Sequence, residues 1–122
     1  MRFPRWIFAA AGVYGFITLL PLYFLEERVT PALNHPEHYY GFIGAALAFQ
    51  VLFLIVARDP QRLRPAMPAC ILEKLTWSVA LAWLWSQGRI EAPLPLFGAI
   101  DLIWAGLFVA AYLKTKEPSA LR

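Results

Sequence analysis

The sequence is poor in charged residues and in cysteine. Only 16% of its 122 residues are charged, and Cys70 is its single cysteine. One cysteine excludes an internal disulfide and the paired-cysteine chemistry on which membrane thiol oxidoreductases depend. Soluble proteins are about 45–50% apolar, whereas 60% of this chain is apolar. The composition therefore excludes an ordinary water-soluble domain and predicts a membrane protein.

The chain also lacks a basic face, although its net charge is +3. Its basic residues fall at the ends of apolar runs, so we expect no nucleic-acid partner and take the lipid bilayer as the expected partner. The apolar run from Trp6 to Leu25 is longer than the about 7–15 residues of a signal-peptide core. No convincing small-residue cleavage site precedes Glu26. We therefore predict a retained first helix.

Four apolar runs have the length of about 17–25 residues that a membrane-crossing helix needs. They cover residues 6–25, 40–57, 67–85 and 94–113. Asn34 followed by Pro36 indicates a helix start, while Asp59-Pro60 and Gln87-Gly88 indicate helix ends. Short connections make successive helices antiparallel. The sequence thus predicts one all-α integral membrane domain over residues 1–122, an antiparallel bundle of four transmembrane helices.

Orientation follows from lysine and arginine, which are enriched in cytoplasmic loops. One predicted side has only Arg28 and Arg89. The other side collects Arg2, Arg5, Arg58, Arg62, Arg64, Lys114, Lys116 and Arg122. This excess predicts that the N and C termini and the loop between the second and third helices are cytoplasmic.

Several polar residues fall inside the predicted spans, where an ionisable group costs roughly 2.5–3.5 kcal/mol at the bilayer centre. Asp101, Gln50 and Glu73 lie at outer, middle and inner depths. Internal hydrogen bonding within the bundle is the expected role of these residues, and a ligand or proton site is the alternative for which they are the candidates. Trp77 and Trp104, with nearby phenylalanines, are candidates for the wall of a pocket for a quinone, sterol or carotenoid, or else for simple core packing.

The adjacent charges Glu73 and Lys74 lie only about 9–10 Å inside the predicted cytoplasmic boundary. We expect Lys74 to extend to the headgroups and Glu73 to pair with Arg58, Arg62 or Arg64. With Asp59, these residues form a predicted cytoplasmic anchor; the alternative is a carboxylate that exchanges protons or binds a lipid headgroup. Asp101 is expected to meet a partner on the outer side, and the candidates are Arg28, Arg89, His35 and His38.

The segment "HPEH" is the only candidate metal site. His35 and His38 can lie on one side of a helix start with Glu37 between them. The alternative is an interfacial first turn without a metal. No cofactor is required by the sequence.

The segments "ARDPQRLRP" and "ILEKL" resemble small bacterial four-span membrane proteins of the broad DoxX-like or BphX-like kind. In these proteins the second span ends in a basic Asp-Pro loop, and a lysine follows early in the third span. The resemblance implies a multi-pass protein of the bacterial inner membrane, often found alongside quinone-linked or other redox systems. It carries over Arg58, Asp59, Pro60 and Lys74 as the cytoplasmic connection, and it brings no catalytic set.

Function remains open between several classes. No carboxylate pair has the spacing for general acid and base catalysis, and no Ser, His and Asp set shares one depth, so the sequence leans away from an enzyme. We expect an accessory subunit of a larger membrane complex, a homo-oligomer, or a binder of a lipophilic ligand. The alternatives are a membrane-embedded enzyme, a small proton-coupled carrier, or an oligomeric exporter whose Asp101 faces a shared cavity.

Overall fold

The computed structural model describes residues 2–29 and 34–115, and this part of the chain is helical with no strand. Its long helices are α1 (Arg2–Leu19), α2 (Pro36–Arg58), α3 (Met67–Ser86) and α4 (Leu94–Lys114). Short 3-10 helices cover Leu20–Phe24, Glu26–Arg28 and Arg64–Ala66. The predicted all-α class with four long helices is confirmed. Lys116 and Arg122, which entered the orientation argument, lie outside the described residues.

The ends of α2 and α3 follow from their local sequences. Asp59 caps the C-terminus of α2, as its position before Pro60 predicts. Gly88 has a φ of +70°, and the amides of Gly88 and Arg89 donate to the carbonyls of Trp85 and Leu84, which satisfies the last turn of α3. The start of α2 differs from expectation: the cap is His35 rather than Asn34, without a side-chain capping bond.

The helices associate most extensively as two hairpins, α1 with α2 and α3 with α4. Gly12 of α1 lies against Leu54 of α2, so closely that an added Cβ would come within 2.7 Å of Leu54 Cδ2. Nearer the connection, an added Cβ at Gly44 would lie 3.6 Å from the hydroxyl of Tyr23. α1 and α4 join the two hairpins, whereas α2 and α3 contact each other less. The weak α2–α3 contact leaves room between the hairpins.

A close-packed core fills one half of the space between the hairpins. The rings of Phe8 and Phe108 stack with centroids 4.4 Å apart, and Phe53 meets Phe108 edge-on at 5.0 Å. The buried members of this core are Phe8, Ala11, Phe53, Val56, Met67, Cys70, Phe108 and Ala111. They come from the first half of α1, the last half of α2, the start of α3 and the end of α4. The core therefore lies toward the end of the bundle that carries most of the basic residues. We call this end the basic end; its described basic residues are Arg2, Arg5, Arg58, Arg62, Arg64 and Lys114.

Within residues 2–29 and 34–115, three helical segments are long and apolar enough to cross a membrane: Arg2–Phe24, Pro36–Arg58 and Leu94–Lys114. Their outward side chains are large and apolar; Trp6, Ile17 and Leu113 are examples. A water-soluble monomer rarely exposes so much contiguous apolar surface. These observations support the prediction of a membrane protein. The third long helix, α3, carries Glu73 and Lys74 and is not one of these three segments.

Candidate functional site

A cavity of about 530 Å³ occupies the half of the bundle away from the core. All four long helices contribute to its lining. Its polar lining consists of Tyr14, Thr18, Gln50, Glu73, Lys74, Thr76 and Asp101. Its apolar and aromatic lining includes Leu19, Leu22, Phe42, Phe49, Trp77 and Phe97. Ligand pockets in proteins measure about 300–1,000 Å³ and are mostly apolar with a few polar groups, and this cavity has both properties.

Lys74 lies at the centre of the polar group. Its side chain is only 3% exposed, and its Nζ lies 3.7 Å from Glu73 Oε2 and 3.6 Å from Asp101 Oδ1. The same Nζ lies 5.2 Å from the centroid of the Phe53 ring, at the boundary between cavity and core. Two carboxylates thus share one ammonium group, and the cluster joins α3 to α4.

The buried position of Lys74 follows from the helical period of α3. The buried residues of α3 are Met67, Cys70, Lys74, Ser78 and Leu81. Their spacings of three and four residues place them on one face of the helix. Lysine is the only charged member of this row, so its side chain must be neutralised from within, and the two nearby carboxylates neutralise it.

Gln50 provides the second notable group in the lining. It is 1% exposed, and its Nε2 donates to the carbonyl of Ala46 at 2.8 Å. Its Oε1 is buried and has no hydrogen-bond partner within the described chain. The oxygen is directed toward Gly15, where an added Cβ would clash with it. Gly15 is therefore the residue that admits the Gln50 side chain between α1 and α2.

Glu73 carries the other unsatisfied acceptor. Its Oε2 is buried and makes no hydrogen bond in the segments that the structure describes. The Lys74 ammonium at 3.7 Å is near enough for an ion pair but too far for a hydrogen bond. Buried polar atoms are normally hydrogen-bonded. The two acceptors without partners therefore indicate that residues lining this cavity can accept hydrogen bonds from a bound molecule.

Aromatic residues close two sides of the cavity. The Phe42 and Trp77 rings lie 5.1 Å apart and bridge α2 to α3, where direct contact between the helices is limited. Tyr14 and Trp104 lie 5.8 Å apart and bridge α1 to α4. Of the two predicted tryptophans, Trp77 lines the cavity and Trp104 does not, because the Trp104 ring packs between Tyr14 and Phe108.

The structure corrects the predicted anchor at Glu73 and Lys74. Lys74 does not extend to the headgroups, and Glu73 faces Lys74 rather than the arginines of the loop. Asp101 pairs with Lys74 and not with a residue of the outer loops. The prediction for Lys74 was wrong because it used only the depth of the residue along the helix. The long lysine side chain can also extend into the bundle, where the carboxylates of Glu73 and Asp101 compensate its charge. Asp101 thus faces its own chain's interior, which argues against the exporter with a shared Asp101 cavity.

The loop residues of the predicted anchor make different contacts. Asp59 Oδ1 accepts the backbone N–H of Arg62 at 3.3 Å, and the Arg58 side chain is exposed. Arg64 Nε donates to the carbonyl of Tyr112 at 3.2 Å, and its Cζ lies 3.7 Å from the centroid of the Tyr112 ring. The loop therefore holds the end of α4.

The "HPEH" segment lies at the exposed start of α2. One possible ligand atom from each of His35, Glu37 and His38 lies within 4.8 Å of the others. His35 Nδ1 lies 3.4 Å from Glu37 Oε1, which equally fits a surface ion pair without a metal. The interfacial first turn without a metal stays the prediction for this segment, with a metal site as its alternative.

The sequence indicated Gln50, Glu73, Asp101 and Trp77 separately, and the fold brings them together at one cavity. It missed Lys74 and Gly15 as members of this site. The spacing of Lys74 from Cys70 and Ser78 was the available signal for the first. Nothing local distinguished Gly15 from the other glycines of the spans.

Comparison with known proteins adds no relative. No family model, curated protein or solved structure matches the chain. The resemblance to DoxX-like or BphX-like proteins therefore stays a prediction, and function is argued from the cavity itself.

Proposed function

We propose that this protein is a multi-pass protein of the bacterial inner membrane that binds a lipophilic ligand between its two hairpins. The observation that carries this proposal is the cavity of about 530 Å³, in which aromatic walls meet a buried polar cluster. An apolar molecule would enter such a site from the bilayer. Its polar end would meet Gln50, Lys74 and the two carboxylates, and its body would lie among the aromatic rings.

We propose further that α3 is a fourth span, which gives an antiparallel four-helix bundle with both termini in the cytoplasm. The helix has 20 residues, and a rise of about 1.5 Å per residue gives it the thickness of the hydrocarbon core, about 30 Å. Its charges are turned inward, while Leu72, Val79 and Trp83 are exposed. All described lysines and arginines other than Arg28, Lys74 and Arg89 lie at the basic end. This distribution supports a cytoplasmic location of the basic end.

Ligand binding is tested by purifying the protein in native lipid particles and identifying co-purified molecules by mass spectrometry. Quinones, sterols and carotenoids should each be scored against particles that lack the protein. The variant Gly15→Leu places a side chain against Gln50 and should remove the bound molecule. Gly41→Leu is the matched control, because nothing lies within 4 Å of an added Cβ there. Equal recovery from both variants, or no enrichment at all, would contradict the proposal.

A proton-coupled carrier or a membrane-embedded enzyme is the second candidate. It is favoured by the sharing of one ammonium between Glu73 and Asp101 in a buried site, because such carboxylates are common in proton pathways. In proteoliposomes containing a pH-sensitive dye, proton movement should depend on added ligand and be lost in Asp101→Asn. A folded Asp101→Asn variant with unchanged flux would count against the carrier.

An accessory role in a larger complex, or a homo-oligomer, remains compatible with ligand binding. Gly41 and Gly106 are exposed and open to a close helix approach, which small residues permit in membranes. Cysteines placed at Gly41 and Gly106 should crosslink to a second copy or a partner in native membranes. A chain that stays uncrosslinked and monomeric there would exclude this role.

A further inference from the structure

The cavity has an unbalanced set of charges. Among the described residues its ionisable lining groups are Tyr14 from α1, Glu73 and Lys74 from α3, and Asp101 from α4, while α2 supplies the neutral Gln50. With both carboxylates ionised and the lysine protonated, the cluster carries one net negative charge. An uncompensated charge away from water is costly. A ligand that brings one positive charge would neutralise the cluster.

The hydrogen-bonding groups without partners also favour a positively charged ligand, because they are acceptors and require donors. Gln50 Oε1 and Glu73 Oε2 are both buried acceptors without a hydrogen bond in the described segments. They need N–H or O–H donors, and a quinone or a carotenoid hydrocarbon supplies none. A sterol hydroxyl supplies one donor but no charge. A protonated primary amine supplies up to three N–H donors and the missing positive charge.

The walls of the cavity suit the body of such a molecule. Aromatic faces attract a nearby cation, and Phe42, Phe49, Trp77 and Phe97 line the cavity. The cavity of about 530 Å³ is much larger than a metal ion needs, so the occupant must have an organic body. The lining is otherwise apolar, which matches an aromatic or aliphatic body.

We propose that the ligand is a lipophilic primary ammonium ion, whose head donates hydrogen bonds to Glu73 Oε2 and, once the Gln50 side chain turns from Gly15 into the cavity, to Gln50 Oε1. This inference rests on the proposed function and specifies the chemical class of its ligand. The head neutralises the net charge of the Glu73, Lys74 and Asp101 cluster, and the body packs against the aromatic walls. Without the ligand, a proton on one carboxylate would supply the same balance, so the amine and a proton should compete.

The test is equilibrium dialysis of the protein in lipid nanodiscs against matched probes. The probes are 2-(naphthalen-2-yl)ethylamine, the corresponding neutral alcohol and a naphthoquinone, with empty nanodiscs correcting for partition into lipid. The amine should bind about tenfold or more tighter than the alcohol, since a hydrogen bond between charged groups in a buried site is worth this much. Gln50→Leu and Glu73→Gln should each weaken amine binding by about tenfold and change alcohol binding little. Gln87→Leu and Glu91→Gln, at exposed positions outside the cavity, are the control variants.

The outcomes separate this inference from the proposed function. The alcohol or the quinone could bind as tightly as the amine and lose this binding in Gly15→Leu. That result would contradict an ammonium ligand but would still support a lipophilic binding site. Tight amine binding that is unchanged by both Gln50→Leu and Glu73→Gln would overturn the assigned contacts. Binding of no probe above empty nanodiscs, together with no co-purified molecule, would overturn both proposals.

Discussion

Lys74 Nζ lies 3.6 Å from Asp101 Oδ1 and connects α3 to α4 inside the bundle. The same ammonium lies 3.7 Å from Glu73 Oε2, so one cation serves two carboxylates. Loss of one carboxylate leaves a neutral pair, whereas loss of the lysine leaves two like charges without a cation. The residues of this cluster should therefore tolerate substitution very unequally.

The first prediction concerns this inequality. Lys74→Met should destabilise the fold by about 3–5 kcal/mol, because breaking a buried pair leaves its charges uncompensated. Asp101→Asn should cost clearly less, since Lys74 keeps Glu73. Reversible unfolding with increasing dodecyl sulfate in mixed micelles measures both. Lys114→Met, at an exposed lysine, is the control. Equal losses for Lys74→Met and Asp101→Asn would contradict the shared-cation arrangement.

The second prediction concerns the close contact of α1 and α2. Gly15→Ala should destabilise by about 1–3 kcal/mol, as overpacking does, because the new Cβ would overlap Gln50. Gly41→Ala has open space and should be neutral or stabilising by up to about 1 kcal/mol, the difference in helix propensity. Both variants are measured in the same unfolding assay. A Gly15→Ala variant as stable as Gly41→Ala would show that Gln50 does not pack against α1.

The third prediction concerns the loop between α2 and α3. Arg64 combines a hydrogen bond to the Tyr112 carbonyl with stacking over the Tyr112 ring. Arg64→Lys keeps the positive charge, and hence the orientation signal, but loses the planar contact. It should destabilise by about 0.5–2 kcal/mol, and Arg62→Lys, at an exposed side chain, should not. If Tyr112→Phe proves as harmful as Tyr112→Leu, the ring stacking is not the source of the effect.

How far the sequence predicted this structure depends on the kind of signal. Apolar length predicted the four helices, and Asp59-Pro60 and Gly88 predicted where two of them end, because these are local properties of the chain. Gln50 and Asp101 were identified because a polar group in an apolar run is costly wherever the helix lies.

The contacts of these residues needed the fold. Position along α3 gave the depth of Lys74 but left open whether its side chain points to lipid headgroups or to the bundle. That choice depends on Asp101, 27 positions later in the sequence, across an interface between helices. Trp104 was assigned to the pocket by depth alone, and the rotation of α4 instead turns it toward Tyr14.

The fourth prediction concerns the crossing of the membrane by α3. Cys70 is the single cysteine of the chain, so Cys70→Ser provides a cysteine-free background. In that background, a maleimide that does not cross membranes should label Glu91→Cys in intact cells. It should label Gln61→Cys only after the cells are opened. Labelling of both positions from the same side would mean that α3 does not span the bilayer.

The location of the Lys74 ammonium tests the central claim most directly, because the polar cavity exists only if this group is turned inward. Reductive methylation of the protein in lipid nanodiscs, followed by peptide mass spectrometry, compares Lys74 with the exposed Lys114. We expect Lys114 to be methylated while Lys74 stays largely unmodified. Methylation of Lys74 at a rate similar to that of Lys114 would place its ammonium at the headgroups and contradict the account.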